Sequence, residues 1–170
     1  LFLRLLDKHI DSRIRGLEQG AIDPEDLLIP GCSHFLQMLV SLGLTLYLAS
    51  GTDLDDVKRE LTLLGLSKYF GQRIYGALDN YQDFSKEQIV KRVISDNRCG
   101  GEDLIGFGDG FVETRCIKQA GGFAVGVASD EAHPHGNVNR SKRCVLIRSG
   151  ADIIIPDFRE TSALVSHIFK

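Results

Sequence analysis

The stretch LIGFGDGFVET, residues 104–114, joins a short apolar run, a turn of small residues and two carboxylates. The run predicts a strand and the residues from Val112 onward predict a helix, so Asp109 should lie where the strand ends. The dinucleotide-binding pattern G-x-G-x-x-G fails, because Phe111 stands where its third glycine would be, and the P-loop pattern is absent. What the stretch offers instead is an acidic corner, formed by Asp109 and by Glu113 four residues later.

Two interpretations of the acidic corner stay open at this point. Paired carboxylates suit Mg²⁺, a hard cation that takes oxygen ligands and usually shares them with a phosphate. Alternatively, Asp109 caps the following helix and Glu113 favours its dipole.

On both sides of this stretch, short apolar runs alternate with helical patterns of about ten residues. Strands are predicted near residues 44–49, 73–78, 104–107, 123–128 and 152–155. Helices are predicted near residues 1–18, 33–42, 54–64, 86–94, 112–120, 138–149 and 161–169. This alternation predicts an α/β fold, a doubly wound parallel sheet in which the carboxyl ends of the strands share one edge. Ligands of such sheets bind outside that edge.

A second strand ends at this edge in LYLASGTDLDD, residues 46–56. The run stops at Ser50 and Gly51, for which two explanations compete. Thr52 or Asp53 caps the next helix, or the hydroxyl and the free backbone amides hold an anion.

Lys86 opens the helix predicted in DFSKEQIVKRVI, with Ser85 as its expected N-cap. A lysine at this end opposes the helix dipole, so the position is slightly unfavourable. It is either an ordinary surface lysine or a cation that holds a phosphate and offsets carboxylate repulsion.

The bulk properties exclude several classes of protein. The chain has 170 residues and a formal charge of −3, which gives no support to a nucleic-acid partner. The short basic cluster Arg140, Lys142 and Arg143 is interpreted as a solvated helix face. Four widely spaced cysteines without a C-x-x-C pair argue against zinc, and no apolar run approaches the ~20 residues that span a bilayer. We therefore predict a cytoplasmic protein without a membrane segment.

Taken together, these motifs resemble those of the haloacid dehalogenase-like (HAD) hydrolases, most of which are Mg²⁺-dependent phosphatases. The resemblance runs from about Pro30 to Lys170, and AGGFAVGVASDE with VLIRSGADIIIPDF is similar to the phosphoglycolate-phosphatase-like branch. It implies that Ser50 and the Gly51 amide bind a phosphoryl oxygen and that Lys86 balances the accumulated charge.

For the acidic corner, the resemblance implies that Asp109 binds Mg²⁺. Glu113 stands where Asp is commoner, and its longer arm makes an indirect role more plausible than direct metal binding. Lys86 lacks the Lys-Pro context common in the branch, which leaves Lys91 as an alternative.

The N-terminal part of the chain differs from the pattern of this family. Family members begin with a strand followed by Asp-x-Asp-Gly-Thr, whose first Asp is the nucleophile and whose second is the acid/base. The only Asp-x-Asp here, Asp53 to Asp55, opens a helix after the second-motif strand. We therefore expect residues 1–29 to be the C-terminal part of a helical cap, and residues 30–170 to be a core lacking its first strand. An upstream segment or a partner chain would supply that strand.

The predicted function is a Mg²⁺-dependent phosphatase that acts on a small phosphorylated metabolite through an aspartyl-phosphate, with the 170-residue chain alone inactive. The alternative is a catalytically inactive domain that binds a phosphorylated ligand or a partner chain. The missing nucleophile favours the alternative, whereas the presence of Ser50, Lys86 and Asp109 together favours the enzyme.

Overall fold

The computed structural model describes residues 12–77, 85–133 and 136–169, and in this part of the chain strands alternate with helices as predicted. The strands are β1 (Leu48–Asp53), β2 (Ile74–Ala77), β3 (Ile105–Gly108), β4 (Phe123–Val127) and β5 (Ile153–Ile155). The helices are α1 (12–18), α2 (Cys32–Ser41), α3 (Leu54–Leu63), α4 (Ser67–Phe70), α5 (Lys86–Asn97), α6 (Phe111–Gln119), α7 (Arg140–Arg148) and α8 (Thr161–Ile168). Short 3₁₀ turns lie at Pro24–Leu27 and Gly101–Asp103.

In the ranges that the structure describes, the strands form two parallel sheets rather than one. β1 pairs with β2, and the second sheet has the order β3-β4-β5. This confirms the predicted parallel α/β class. Within the described residues, one edge of β1 and one edge of β3 have no strand beside them. Unpaired edges expose backbone donors and acceptors that a further strand could satisfy.

The larger core lies around the three-stranded sheet. Its buried members are Phe35, Leu39, Val125, Val127, Phe158 and Leu164. Phe35, which is only 2% exposed, stacks on Phe158 at a centroid distance of 4.7 Å and meets Phe107 edge-on at 5.0 Å. These rings fix α2 and the segment after β5 against β3.

A second core fills the space between the two-stranded sheet, α3 and α4. Its buried members are Val57, Leu61, Leu66, Tyr69, Phe70 and Ile74. Tyr69 and Phe70, at the end of α4, are both buried in this core. Leu46 packs against both cores and so connects the two halves of the fold.

The predicted strand at residues 44–49 was misplaced by about four residues. β1 begins at Leu48, where its ladder with Ile74 starts, and continues to Asp53. Leu44 and Leu46 pack against the cores without a ladder partner, so their hydrophobicity signals burial rather than strand pairing. Strands of parallel sheets are usually covered on both faces, as β4 is, whereas much of β1 is exposed beside its unpaired edge.

Of the expected cap remnant, residues 1–11 lie outside the described residues. The described remainder contains α1 and the 3₁₀ turn Pro24–Leu27. Just after it, the carbonyl of Pro30 accepts a hydrogen bond from the amide of Phe158 at 2.9 Å, which ties this part of the chain to the segment after β5. No helix in the described ranges is both long enough and apolar enough to cross a membrane.

Candidate active site

Asp109 directly follows β3, and its side chain is 58% exposed at the carboxyl edge of the three-stranded sheet. The residue at the N-cap of α6 is Gly110, and no side chain caps that helix. The interpretation of Asp109 as a helix cap is therefore wrong. Its carboxylate is available for ionic contacts instead.

Glu113, in the first turn of α6, lies folded against the loop that carries Asp109. A Cβ atom at Gly108 would come within 2.9 Å of the Glu113 Cβ, and one at Gly110 would collide with the Glu113 carboxylate. Glycine on both sides of Asp109 therefore leaves room for Glu113 beside it. This packing forms the acidic corner that the sequence predicted.

Lys86 is the cation that reaches the acidic corner. It opens α5, and its ammonium group forms an ion pair with Glu113, with 22% of the Lys86 side chain and 28% of the Glu113 side chain exposed. Burial lowers the pKa of Lys86, while the nearby charge of Asp109 works in the opposite direction. The structure thus brings Lys86, Asp109 and Glu113 together.

The helix α5 also contains the expected N-cap residue and the alternative lysine. Ser85 is the N-cap residue, as expected, but its side chain makes no capping hydrogen bond. The alternative lysine, Lys91, is 71% exposed and pairs with Glu87 within the helix. Of the two lysines, Lys86 is therefore the one placed at the acidic corner.

Lys142 is a site residue that the sequence analysis missed. Its Nζ lies 2.8 Å from Glu131 Oε1, 3.1 Å from Asp109 Oδ2 and 3.4 Å from Ser129 Oγ. The prediction of a solvated basic face is therefore wrong for Lys142, which is 25% exposed, although Arg140 and Arg143 are exposed.

The start of α7 explains this position of Lys142. Asn139 caps the helix by accepting from the Lys142 amide, and its own amide donates to the carbonyl of Ala128 just after β4. Burial opposes the charge of Lys142, but hydrogen bonds to Glu131 and Asp109 outweigh it and raise the pKa. Asn139 is a visible sequence signal for the start of α7, but it gives no sign that Lys142 contacts Asp109.

Ser50 and Gly51 lie in an irregular part of β1. Its register with β2 shifts between Ala49 and Asp53, so regular pairing stops immediately before Ser50. Ser50 Oγ accepts from the Thr52 amide at 3.1 Å, and the space around Gly51 is open. Within the described ranges, no hydrogen bond or ion pair joins Ser50 to Lys86 or Asp109.

Asp53 is the residue that caps the helix following this strand. It occupies the N-cap of α3, and its carboxylate accepts from the Asp55 amide at 2.9 Å. Helix capping is thus accomplished by Asp53, three residues beyond Ser50. Capping of α3 therefore gives no reason for the hydroxyl at Ser50.

The donor set of the acidic corner fits Mg²⁺ chemically. Asp109 and Glu113 offer carboxylate oxygens, which are the ligands this ion prefers, and one or two protein carboxylates are usual beside a phosphate. No cluster of three or more carboxylate, histidine or cysteine side chains suitable for a metal occurs in the described part of the chain. Two carboxylates would leave most coordination positions of such an ion to other ligands.

A cavity of about 290 Å³ opens next to the ends of β4 and β5. Arg13 of α1 lines it, together with Asp26, Asp130, Glu131 and Asp157. The direction of Arg13 could not be read from the sequence. The structure places this arginine in the wall of a cavity that Asp130, Glu131 and Asp157 also line, at the carboxyl edge of the sheet.

No protein-family model matches the chain, and no curated protein sequence does either. Solved structures do match. A haloacid dehalogenase-like protein of unknown function from Agrobacterium tumefaciens is 20% identical with a TM-score of 0.71, covering 98% of this chain and 70% of that one. A HAD family hydrolase from Deinococcus radiodurans R1 with bound phosphate and sodium is 17% identical with a TM-score of 0.68, covering 83% and 60% respectively.

A third match is a predicted phosphoglycolate phosphatase from Haemophilus somnus 129pt, with 18% identity and a TM-score of 0.64. The match covers 81% of this chain and 57% of that one, so the chain spans between 57% and 70% of the length of these three structures. At such identities the similarity establishes architecture and leaves activity open. The resemblance seen in the sequence is thereby confirmed at the level of the fold: the chain has the fold of the haloacid dehalogenase-like hydrolases.

Proposed function

We propose that this chain is the greater part of the core of a Mg²⁺-dependent phosphatase that acts on a small phosphorylated metabolite. The observation that carries the proposal is the charge arrangement at the end of β3. Three carboxylates, of Asp109, Glu113 and Glu131, contact two ammonium groups, of Lys86 and Lys142, which leaves one negative charge in excess. A divalent cation would change the net charge of these five side chains from −1 to +1 and so favour a phosphate ester beside them.

The residues have distinct roles in this proposal. Asp109 would hold the ion, with Glu113 acting through its contact with Lys86. When bound, the ion would offset negative charge on the phosphoryl group. Ser50 and the Gly51 amide would donate hydrogen bonds to a phosphoryl oxygen, and the Lys86 ammonium would balance charge that accumulates during transfer. Lys86 is suited to this role because its ammonium is held close to both acidic side chains.

The unpaired edges of β1 and β3 support the further proposal that a strand from outside this chain carries the nucleophile. An upstream segment, or a partner chain, would add that strand and bring an aspartate to the carboxyl edge. Its carboxylate oxygen would form a bond to phosphorus as the bond to the leaving oxygen breaks, and a neighbouring acid would protonate that oxygen. Water would then attack phosphorus, releasing inorganic phosphate and regenerating the carboxylate.

The setting is proposed to be the reducing cytoplasm, because all four cysteines are free in the structure. The substrate is proposed to be a small molecule rather than a nucleic acid, given the formal charge of −3.

We expect the intact protein to hydrolyse small phosphate esters in Mg²⁺ and to lose at least about 100-fold of that rate in excess EDTA. Phosphate release from p-nitrophenyl phosphate and a panel of sugar and carboxylic acid phosphates measures this. Re-addition of Mg²⁺ to the same sample is the control. The 170-residue chain alone should release no phosphate above the buffer rate. Metal-independent turnover by the intact protein, or turnover by the chain alone, would contradict the proposal.

Binding of a phosphorylated ligand by the intact protein without any release of phosphate would favour the inactive domain considered from the sequence. The two functions are therefore separated by following binding and turnover in the same samples.

Removing the Ser50 hydroxyl tests the phosphate-binding role of β1. A hydrogen bond to a charged group contributes about 1.5–3 kcal/mol, so Ser50→Ala should lower kcat/KM by about 10- to 100-fold. The matched control is Ser41→Ala, which removes an exposed hydroxyl that donates to the carbonyl of Met38 at 2.7 Å. Full activity in Ser50→Ala would exclude this role for the hydroxyl.

A further inference from the structure

Lys142 is held in place by its helix, whereas its acidic partners extend from the surface. Its side chain is 25% exposed, compared with 58% for Asp109 and 79% for Glu131. α7 is anchored by the Asn139 cap and by Leu146, which is fully buried. The helix therefore determines where the ammonium group lies, and the two carboxylates reach towards it.

The two lysines at the site form ion pairs with different carboxylates. Lys86 pairs with Glu113, whereas Lys142 contacts Asp109 and Glu131 and comes within 3.4 Å of Ser129 Oγ. Asp109 Oδ2, at 3.1 Å from Lys142, belongs to the carboxylate that our proposed function assigns to the metal. A metal ion at Asp109 would consequently meet a resident positive charge.

We propose that Lys142 sets the affinity of the site for its divalent cation, by holding a competing ammonium charge against Asp109. This inference rests on the proposed function. Two like charges near one carboxylate repel each other, and a hydrogen bond from Lys142 withdraws electron density from the carboxylate that would bind the metal. A neutral side chain at this position removes the repulsion and the charge-assisted hydrogen bond to Asp109 Oδ2.

We expect Lys142→Gln to bind the divalent cation about three- to tenfold more tightly than the wild type at low salt. The gain should shrink as ionic strength rises, because the site is open to solvent and mobile ions screen it. Lys142→Arg keeps the positive charge and should bind the cation with nearly wild-type affinity.

The experiment uses the intact protein and Mn²⁺ alone as a probe of the oxygen-ligand site, with free Mn²⁺ measured by electron paramagnetic resonance. The matched control is Lys118→Gln. Lys118 also forms a partly exposed ion pair, at 2.9 Å from Asp152, but Asp152 immediately precedes β5 and so lies at the opposite edge of the sheet. Its replacement should leave Mn²⁺ affinity unchanged.

Tighter Mn²⁺ binding in Lys142→Gln, with Lys142→Arg and Lys118→Gln near the wild type, is the expected result. Unchanged or weaker binding in Lys142→Gln would overturn the inference, as would an equal change in Lys142→Arg, which would indicate a structural role. Failure of the proposed function is distinguishable. In that case the wild type itself shows no Mn²⁺ binding that depends on Asp109 and no metal-dependent hydrolysis.

Discussion

Replacing Asp109 by asparagine in the intact protein is expected to lower metal-dependent phosphate ester hydrolysis by about 10³-fold, because the carboxylate proposed to hold the cation loses its charge. Binding of Mn²⁺ should weaken in parallel. Asp109 is 58% exposed and follows β3 without capping α6, so its replacement should cost little folding stability. Steady-state kinetics and thermal unfolding of the same preparation separate the two effects.

The matched control for this substitution is Asp96→Asn. Asp96 is similarly exposed, at 53%, and also has a basic partner, Arg92 at 3.5 Å within α5. Neutralising it removes the same charge and a comparable surface ion pair, which contributes about 0–1 kcal/mol. Activity of Asp96→Asn should be unchanged. Wild-type activity in Asp109→Asn would show that the end of β3 is not the metal-binding edge.

Truncating Phe35 is expected to have the largest effect on stability. The ring is 2% exposed and contacts both Phe107 and Phe158, with centroid distances of 5.0 and 4.7 Å. Phe35→Ala removes this burial and leaves a cavity between α2 and the sheet, which should cost about 3–5 kcal/mol of unfolding free energy. Urea unfolding of the intact protein, followed by circular dichroism, measures the change.

Phe169→Ala provides the control for Phe35→Ala, since Phe169 is 40% exposed at the end of α8 and its loss should cost well under half as much. Equal destabilisation by the two substitutions would mean that Phe35 is not at the centre of the core. A large change in the denaturant slope would instead indicate that the unfolding is not a simple two-state transition.

The acidic corner shows why part of the site was accessible from sequence. Asp109 and Glu113 are four residues apart at a strand end, so local geometry alone puts them together. Lys86 could be predicted as a site residue because a lysine at the first position of a helix opposes the helix dipole, so a functional role is one explanation for its presence there. The contact between Lys86 and Glu113 depends on how α5 packs against α6. The spacing of residues in the sequence does not reveal that packing.

Lys142 shows the opposite case. Its neighbours Arg140 and Arg143 are exposed, and a short basic run in a helix ordinarily faces solvent. The direction of Lys142 depends on two long-range relations, the attachment of Asn139 to Ala128 after β4 and the pairing of β4 with β3. Asp109 is 33 residues away in sequence, so no local pattern could reveal this contact.

By itself, the sequence determined the parallel α/β class, the acidic residues at the end of β3, and the order and type of most elements, because hydrophobic periodicity and turn residues are local properties of the chain. The short helix α4 was not among the predicted elements. The tertiary structure alone decided that the described strands form two sheets with unpaired edges, that β1 begins at Leu48, and that Lys142 contacts Asp109. These features depend on which strand lies beside which and on how each helix packs against the sheet. Such relations join residues far apart in the chain, and only the folded chain brings them into contact.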